Sequence, residues 1–216
     1  MKRALAILLT LGALIGSSAL TAQEKKPAPA KPDAAKPGAK KQPEMSPEMK
    51  KAMETYEKAA QPGPNHKFLA QFAGTWEGTV KMWMGPGEPE VTKGVSENTM
   101  ILGGRYLRQE VVGTAMGKPF HGMGLTGYDN VSKQFVMTWV DDMGTGIETG
   151  TGSLDASGKV LNSMSTFNDP MTGGATKTRG VLRIVDPDKH VMEMYGAGPD
   201  GKEMLMMEIT YVRKKK

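Results

Sequence analysis

Three histidines, His66, His121 and His190, and a scatter of acids in extended segments hold most of the chemistry open to this 216-residue chain. None of the histidines has a His or carboxylate partner at a spacing that makes a metal site. The chain has no cysteine, which excludes disulfides, thiolate metal sites and cysteine nucleophiles together. No Gly-x-Ser-x-Gly, phosphate loop or dinucleotide fingerprint occurs, and the Asp-to-Lys turns supply too few oxygens for calcium. No catalytic residue and no metal ligand is assigned. One carboxylate stands apart. Asp141 follows Trp139 by two residues, so in a strand the two share a face. An inward carboxylate there could fix a ligand or have its own pKa displaced. Asp142 would face the opposite way, so the two acids are no acid–base pair.

These residues need elements to position them. From Gly74-Thr75-Trp76 almost to the C-terminus, segments of roughly ten residues alternate with Gly/Asp/Pro turns and no helix-length interruption. The pattern predicts strands at 74–84, 90–101, 104–114, 119–128, 133–142, 146–154, 159–168, 174–186, 189–197 and 202–213. Connections too short for parallel crossovers make neighbours antiparallel. The expected fold is all-β: an up-and-down antiparallel barrel of about ten strands.

In that order alternate turns lie at opposite ends. One end carries tight turns, 102–104, 129–133, 155–159 and 186–189. The other carries four loops with a Met beside or near Gly, at 84–87, 116–119, 141–146 and 169–174, joined by the Met-free 196–201. The chain has eighteen methionines, and soft Met-rich loops on a rigid scaffold suit contacts of loosely defined shape. The same loops could instead only pack over the barrel end. Trp76, Met82, Trp139 and Tyr195 are expected to line the interior, with Met116, Asp141, Met143, Asp169 and Met171 at the mouth. His121 and His190 would begin at opposite ends, each on the surface or hydrogen-bonded.

Ahead of the sheet, Lys2-Arg3, the apolar run from Ala4 to about Gly16, and small residues up to Ala22 predict a signal peptide over 1–22. Residues 23–45, rich in Lys, Pro and Ala, read as a disordered tether. Ser46-Pro47-Glu48 then starts a helix over 46–61, with Met49, Met53 and Tyr56 at helical spacing. Phe68, Leu69 and Phe72 form a second helical turn expected to plug or flank one barrel end, and the barrel domain spans 65–214. The net charge of +5 is not the domain's. Lys2 and Arg3 contribute +2, and nine Lys against six acids in 24–64 contribute +3, which leaves 5 − 2 − 3 = 0 for 65–216. A neutral domain on a basic tether argues against nucleic-acid binding. No segment beyond the signal is apolar and long enough to span a membrane, and export to the periplasm or beyond is expected.

Phe72-Ala73-Gly74-Thr75-Trp76-Glu77-Gly78 looks like the opening of calycin-type barrels, where a short helix leads to Gly-x-Trp on the first strand. The wider pattern is more specific: Pro62 to Leu69, Met100 to Arg105, Gly122 to Asn130, Trp139 to Gly146, Asp169 to Gly173 and Glu193-Met194-Tyr195. Together these resemble a bacterial exported family known as domain of unknown function 1579, over roughly residues 60–214. The resemblance implies a lipocalin-like or calycin-like barrel and brings no activity with it. A looser similarity is to haem-binding nitrobindin-type barrels, which use a His near the chain's end. Here the last strand has none and His190 is one strand early, so no haem or other cofactor is expected. The expected role is reversible binding of a small, mainly apolar molecule with a polar handle. An enzyme using mouth carboxylates on an envelope or lipid-like substrate, and a non-catalytic envelope protein gripping a partner by its Met loops, are the alternatives.

Overall fold

The computed structural model describes residues 45–215 apart from 86 and 199. The expected signal peptide over 1–22, and the tether over 23–45 except its last residue, lie outside the described residues. Two helices, α1 (Pro47–Ala60) and α2 (Pro64–Ala70), precede ten strands. These are β1 (Gly74–Met82), β2 (Glu90–Ile101), β3 (Tyr106–Ala115), β4 (Lys118–Asp129), β5 (Gln134–Asp141), β6 (Glu148–Leu154), β7 (Val160–Asp169), β8 (Gly174–Asp186), β9 (Lys189–Ala197) and β10 (Glu203–Arg213). Each strand pairs antiparallel with its sequence neighbours, and β1 pairs with β10 from Trp76↔Arg213 to Met82↔Met207, closing the barrel. Closure removes both sheet edges, so no strand is left with an unpaired row of N–H and C=O groups.

Helix α1 starts where the Ser46 hydroxyl accepts a hydrogen bond from the Met49 N–H at 3.3 Å, with Pro47 at the first helical position. It buries no residue, so Met49 and Met53 lie half in water. Its C-terminal end is tied down by Asn130, whose Nδ2 donates to the carbonyls of Ala59 and Gln61, each at 2.8 Å. Helix α2 does the opposite. Phe68, Leu69 and Phe72, just past its end, enter one mouth of the barrel and join Leu107, Phe135 and Leu161 in the core. Phe68 meets Phe72 and Phe135 edge to face at 5.2 and 5.6 Å, geometry that adds to the area buried. The plugged end is the tight-turn end.

The floor above the plug is partly polar and fully organised. The Phe72 carbonyl accepts from Trp76 Nε1 at 2.8 Å and from Asn98 Nδ2 at 3.0 Å, so two strands grip the chain as it leaves α2. Asn98 Oδ1 accepts from the Ser96 hydroxyl at 2.8 Å, and Ser96 Oγ accepts from Gln109 Nε2 at 3.0 Å. Outside the floor, Arg213 donates to the carbonyls of Ala73 and Gln71, pairs with Asp188 at 3.0 Å, and lies 4.0 Å over the Trp76 ring. His190 is neither on the surface nor hydrogen-bonded through Nδ1, contrary to its sequence reading. It stacks on Tyr211 at 4.6 Å and meets Trp76 and Phe72 edge to face.

Candidate functional site

Because Phe135 belongs to the core, the two-residue period turns Met137, Trp139 and Asp141 inward on β5. Pairing carries this across the sheet. Trp139 opposes Gly124 on β4 and Glu148 on β6, and Gly150 on β6 opposes Ser165 on β7, which opposes Thr178 on β8. On the other side His190 fixes the inner register of β9, so Met192 and Met194 point inward, opposite Ile209 and Met207 of β10. These in turn oppose Val80 and Met82 of β1. In the ring β6 lies five strands from β1 in either direction. A methionine-rich apolar wall therefore faces a wall of carboxylates and hydroxyls.

Depth separates core from cup. At the plugged end Phe135 is 1% exposed and Leu161 4%. Toward the opposite end Val80, Met82, Trp139, Asp141, Glu148, Met192, Met194, Met207 and Ile209 are all half-buried. Among the described residues no helix plugs that end, and its rim consists of the loops between β1 and β2, β3 and β4, β5 and β6, β7 and β8, and β9 and β10. All four methionine loops are on this rim.

Trp139 is the best-held side chain of the cup. A Cβ at Gly124 would lie 3.1 Å from its six-membered ring, and one at Gly122 would collide with it outright. The two glycines thus let the indole lie against the wall. Its Nε1 donates to Asp141 Oδ2 at 2.9 Å, and Phe120 lies nearly parallel, 13° off at 6.5 Å between centroids. Asp141 also accepts from the Met143 N–H at 3.1 Å, so one carboxylate orients the ring and turns the rim loop. Glu148 has a raised pKa: burial disfavours its charge, the Ser165 hydroxyl offsets this in part, and the Asp141 charge adds to it. Among the described residues no group of three or more His, Asp or Glu is placed to hold a metal ion.

The sequence-predicted residues divide by location. Met82, Trp139 and Asp141 face the cup. Met116, Met143, Asp169 and Met171 stand on the rim, with Met116 (φ 48°) and Gly117 (φ 70°) forming the two-residue hairpin between β3 and β4. Asp169 accepts from the Met171 N–H at 2.8 Å, an Asx turn that leaves Met171 91% exposed. Trp76 faces inward but is 1% exposed in the floor, with its edges and faces taken by Phe72, His190 and Arg213, and lines no free space. Tyr195 is on the outer wall: its ring lies 4.0 Å under Arg179 and its hydroxyl donates to Glu193 at 3.2 Å. The inner register of β9 is 190, 192 and 194, which turns 195 out. His121 is exposed, its N–H donating to Asp142 Oδ2 at 3.1 Å. Glu148, Met192, Met194 and Met207 belong to the cup and were not singled out from sequence. The two-residue step back from Gly152 and Gly150 was the available signal for Glu148.

A concavity lies outside the barrel at the plugged end, a groove of about 440 Å³ between the end of α1 and the wall formed by Tyr106, Leu125, Tyr128 and Val136. His66 and Arg105 are among the residues that line it.

A closed ten-stranded antiparallel barrel, plugged by a short helix at one end, is the calycin-like class. Within it, the family described as protein of unknown function (DUF1579) matches residues 61–213, and the chain belongs to that family. No curated protein matches the chain. Among solved structures it is similar to Rv2717c from M. tuberculosis, at 18% identity and TM-score 0.53, covering 72% of this chain and 100% of that one. The S-type phycobiliprotein lyase CPES from Guillardia theta is similar at 11% identity and TM-score 0.50, covering 70% of this chain and 93% of that one. Likeness at this identity concerns the fold.

Proposed function

We propose that the protein reversibly binds a small, mainly apolar molecule with a polar handle, inside the open half of the barrel. The observation that carries this reading is the split inner surface: half-buried Val80, Met82, Met192, Met194, Met207 and Ile209 on one side, half-buried Asp141 and Glu148 on the other, with the hydroxyls of Ser165 and Thr178 buried beside them. A fold that needed only stability would fill both ends alike, because each buried apolar side chain contributes ~1.5–3 kcal/mol. Here packing is complete at one end and the other keeps polar groups facing half-exposed methionines. Such a composition, apolar lining with a few placed polar groups, is that of a ligand site. One barrel of similar fold is a phycobiliprotein lyase, so this shape is compatible with a ligand-handling role, and none of that protein's chemistry is extended here.

We place this activity outside the cytoplasm, on the strength of the N-terminal signal pattern, and assign no cofactor. The test is native mass spectrometry of protein purified from its own host, followed by solvent extraction of the bound mass. A bound small molecule displaced by Met192→Glu or Met207→Glu is the expected result. Preparations that stay free of ligand, together with a high-resolution structure in which side chains fill the open half, would sink the reading.

A further inference from the structure

Every ion pair among the described residues lies on the outer wall, in a turn or at the floor. Lys81–Glu208, Arg108–Glu110, Arg179–Glu203 and Arg183–Glu193 all use outward positions of their strands, Lys202–Asp200 sits in a loop, and Arg213–Asp188 closes the floor from outside. The inner wall is different. It carries Asp141 and Glu148, with Glu90 and Asp169 at the rim, and none of the four is in an ion pair among the described residues. Between rim and floor the inward register holds no Lys or Arg; Lys118, the exposed first residue of β4, is at the rim itself. Negative charge in a cup with low-dielectric walls focuses potential, and an entering cation would relieve it.

Charge alone would not make a site, but here it adjoins a built surface. Gly122 and Gly124 seat the Trp139 indole against β4, and Asp141 fixes its Nε1 at 2.9 Å. Glu148 is the cross-strand partner of Trp139 on the other side. The ring is therefore held by its edge and by one face, within a half-exposed cup and next to an unpaired carboxylate. A fixed indole face beside a carboxylate is the surface that recognises an amine or quaternary ammonium. Methionine thioethers across the lumen suit the apolar remainder.

We propose that the ligand of this cup is a cationic amphiphile, whose ammonium group sits on Trp139 beside Glu148 while its tail lies along Met82, Met192, Met194 and Met207. This rests on the reading that the cup binds a ligand, and deepens it by naming the head group. Fatty acids and other anionic amphiphiles are excluded by the same two carboxylates.

The test uses three probes with one tail: decyltrimethylammonium, decanol and decanoate, titrated calorimetrically into the whole protein below their aggregation concentrations. The expected order is ammonium tighter than alcohol by ~10-fold and alcohol tighter than decanoate, since a cation on a desolvated aromatic face contributes at about that level. Glu148→Gln should remove most of the ammonium preference and leave decanol binding within ~2-fold, because the amide has nearly the size and shape of the carboxyl it replaces. Salt gives a reading that needs no variant: the ammonium preference should shrink between 50 mM and 500 mM salt, over which screening tightens by ~3-fold in length. Equal binding of all three probes would overturn the cation proposal while keeping the cup as a binding site, as would a preference indifferent to both Glu148→Gln and salt. Decanoate binding tightest would overturn it in the same way. Binding of none of the three would overturn the proposal and the reading of the cup together.

Discussion

His190 shows how much one side chain can make the fold depend on pH. Burial among Phe72, Trp76 and Tyr211, helped by the nearby Arg213 charge, lowers its pKa from 6.5 to about 4. In the unfolded chain the imidazole takes a proton at its ordinary pKa, so between the two values the unfolded state holds more protons than the fold. The contribution is fully present above the unfolded value and is lost as pH falls toward the folded one, an effect of ~3 kcal/mol for a shift of this size. Urea unfolding at pH 7 and pH 4.5 should show the wild type losing ~2 kcal/mol more than His190→Phe, which keeps an aromatic ring and removes the proton site. Equal pH slopes for the two proteins would mean that His190 is not the group responsible. Gly122 makes the complementary case in the cup. Gly122→Val places a branched side chain where the Trp139 ring and Phe120 already lie. The expected cost is ~1–3 kcal/mol for overpacking, with a red-shifted tryptophan emission as the indole leaves the wall. A variant with unchanged emission would show that the ring does not depend on that glycine.

At the scale of elements, the two helices behave as opposites, and one experiment separates them. Asn98 bonds the Phe72 carbonyl from a buried position, whereas Asn130 bonds the end of a helix that buries nothing. Asn98→Ala should therefore lower global stability by ~1–3 kcal/mol, because it leaves the Ser96 hydroxyl and part of the Phe72 carbonyl's bonding unmet. Asn130→Ala should leave global unfolding almost unchanged and speed hydrogen exchange only in α1, a local opening rather than a global one. Exchange measured by mass spectrometry on both variants checks the contrast, and global loosening in Asn130→Ala would refute it. The strands, their antiparallel order and the sorting of loops to two ends were legible from alternation and turn residues. Faces were legible only where polarity alternates. Phe135, Met137 and Trp139 alternate with the less bulky Val136, Thr138 and Val140, so Asp141 could be aligned with them. In Val191-Met192-Glu193-Met194-Tyr195 bulky apolar residues stand on both faces, and the single charge, Glu193, two residues before Tyr195, was the only hydropathy signal that Tyr195 turns outward. In β6 the next two inward residues after Glu148 are glycines, which carry no hydropathy signal, so Glu148 could be aligned only by counting back in twos from Leu154. Trp76 was aligned with the right face at the wrong depth. A two-residue period gives side, not height along the barrel, and the height follows only from where α2 lodges.

At the scale of the whole molecule, everything said of the cup depends on the seam where the first strand meets the last. β1 and β10 are separated by most of the domain in sequence, yet pair over seven residues, among them Thr79↔Thr210 on the outer face. Directly opposed residues of an antiparallel pair have Cα atoms ~4.5–5.5 Å apart, within the span that a disulfide bridges. Thr79→Cys with Thr210→Cys would introduce the chain's first two cysteines, so any bridge formed must be this one. A link closing a loop of that length restricts the unfolded chain, and the entropy model gives up to ~5 kcal/mol of stabilisation, less whatever strain the bond imposes. The expected result is a bridge that forms quantitatively in air, raises the unfolding midpoint, and returns it toward the wild-type value on reduction. The bridged protein should bind its ligand as the wild type does, because positions 79 and 210 face away from Val80 and Ile209, which line the cup. A sheet left open along this seam would keep the two thiols free, and with the ring unclosed the methionine wall would no longer face the carboxylates across a common space.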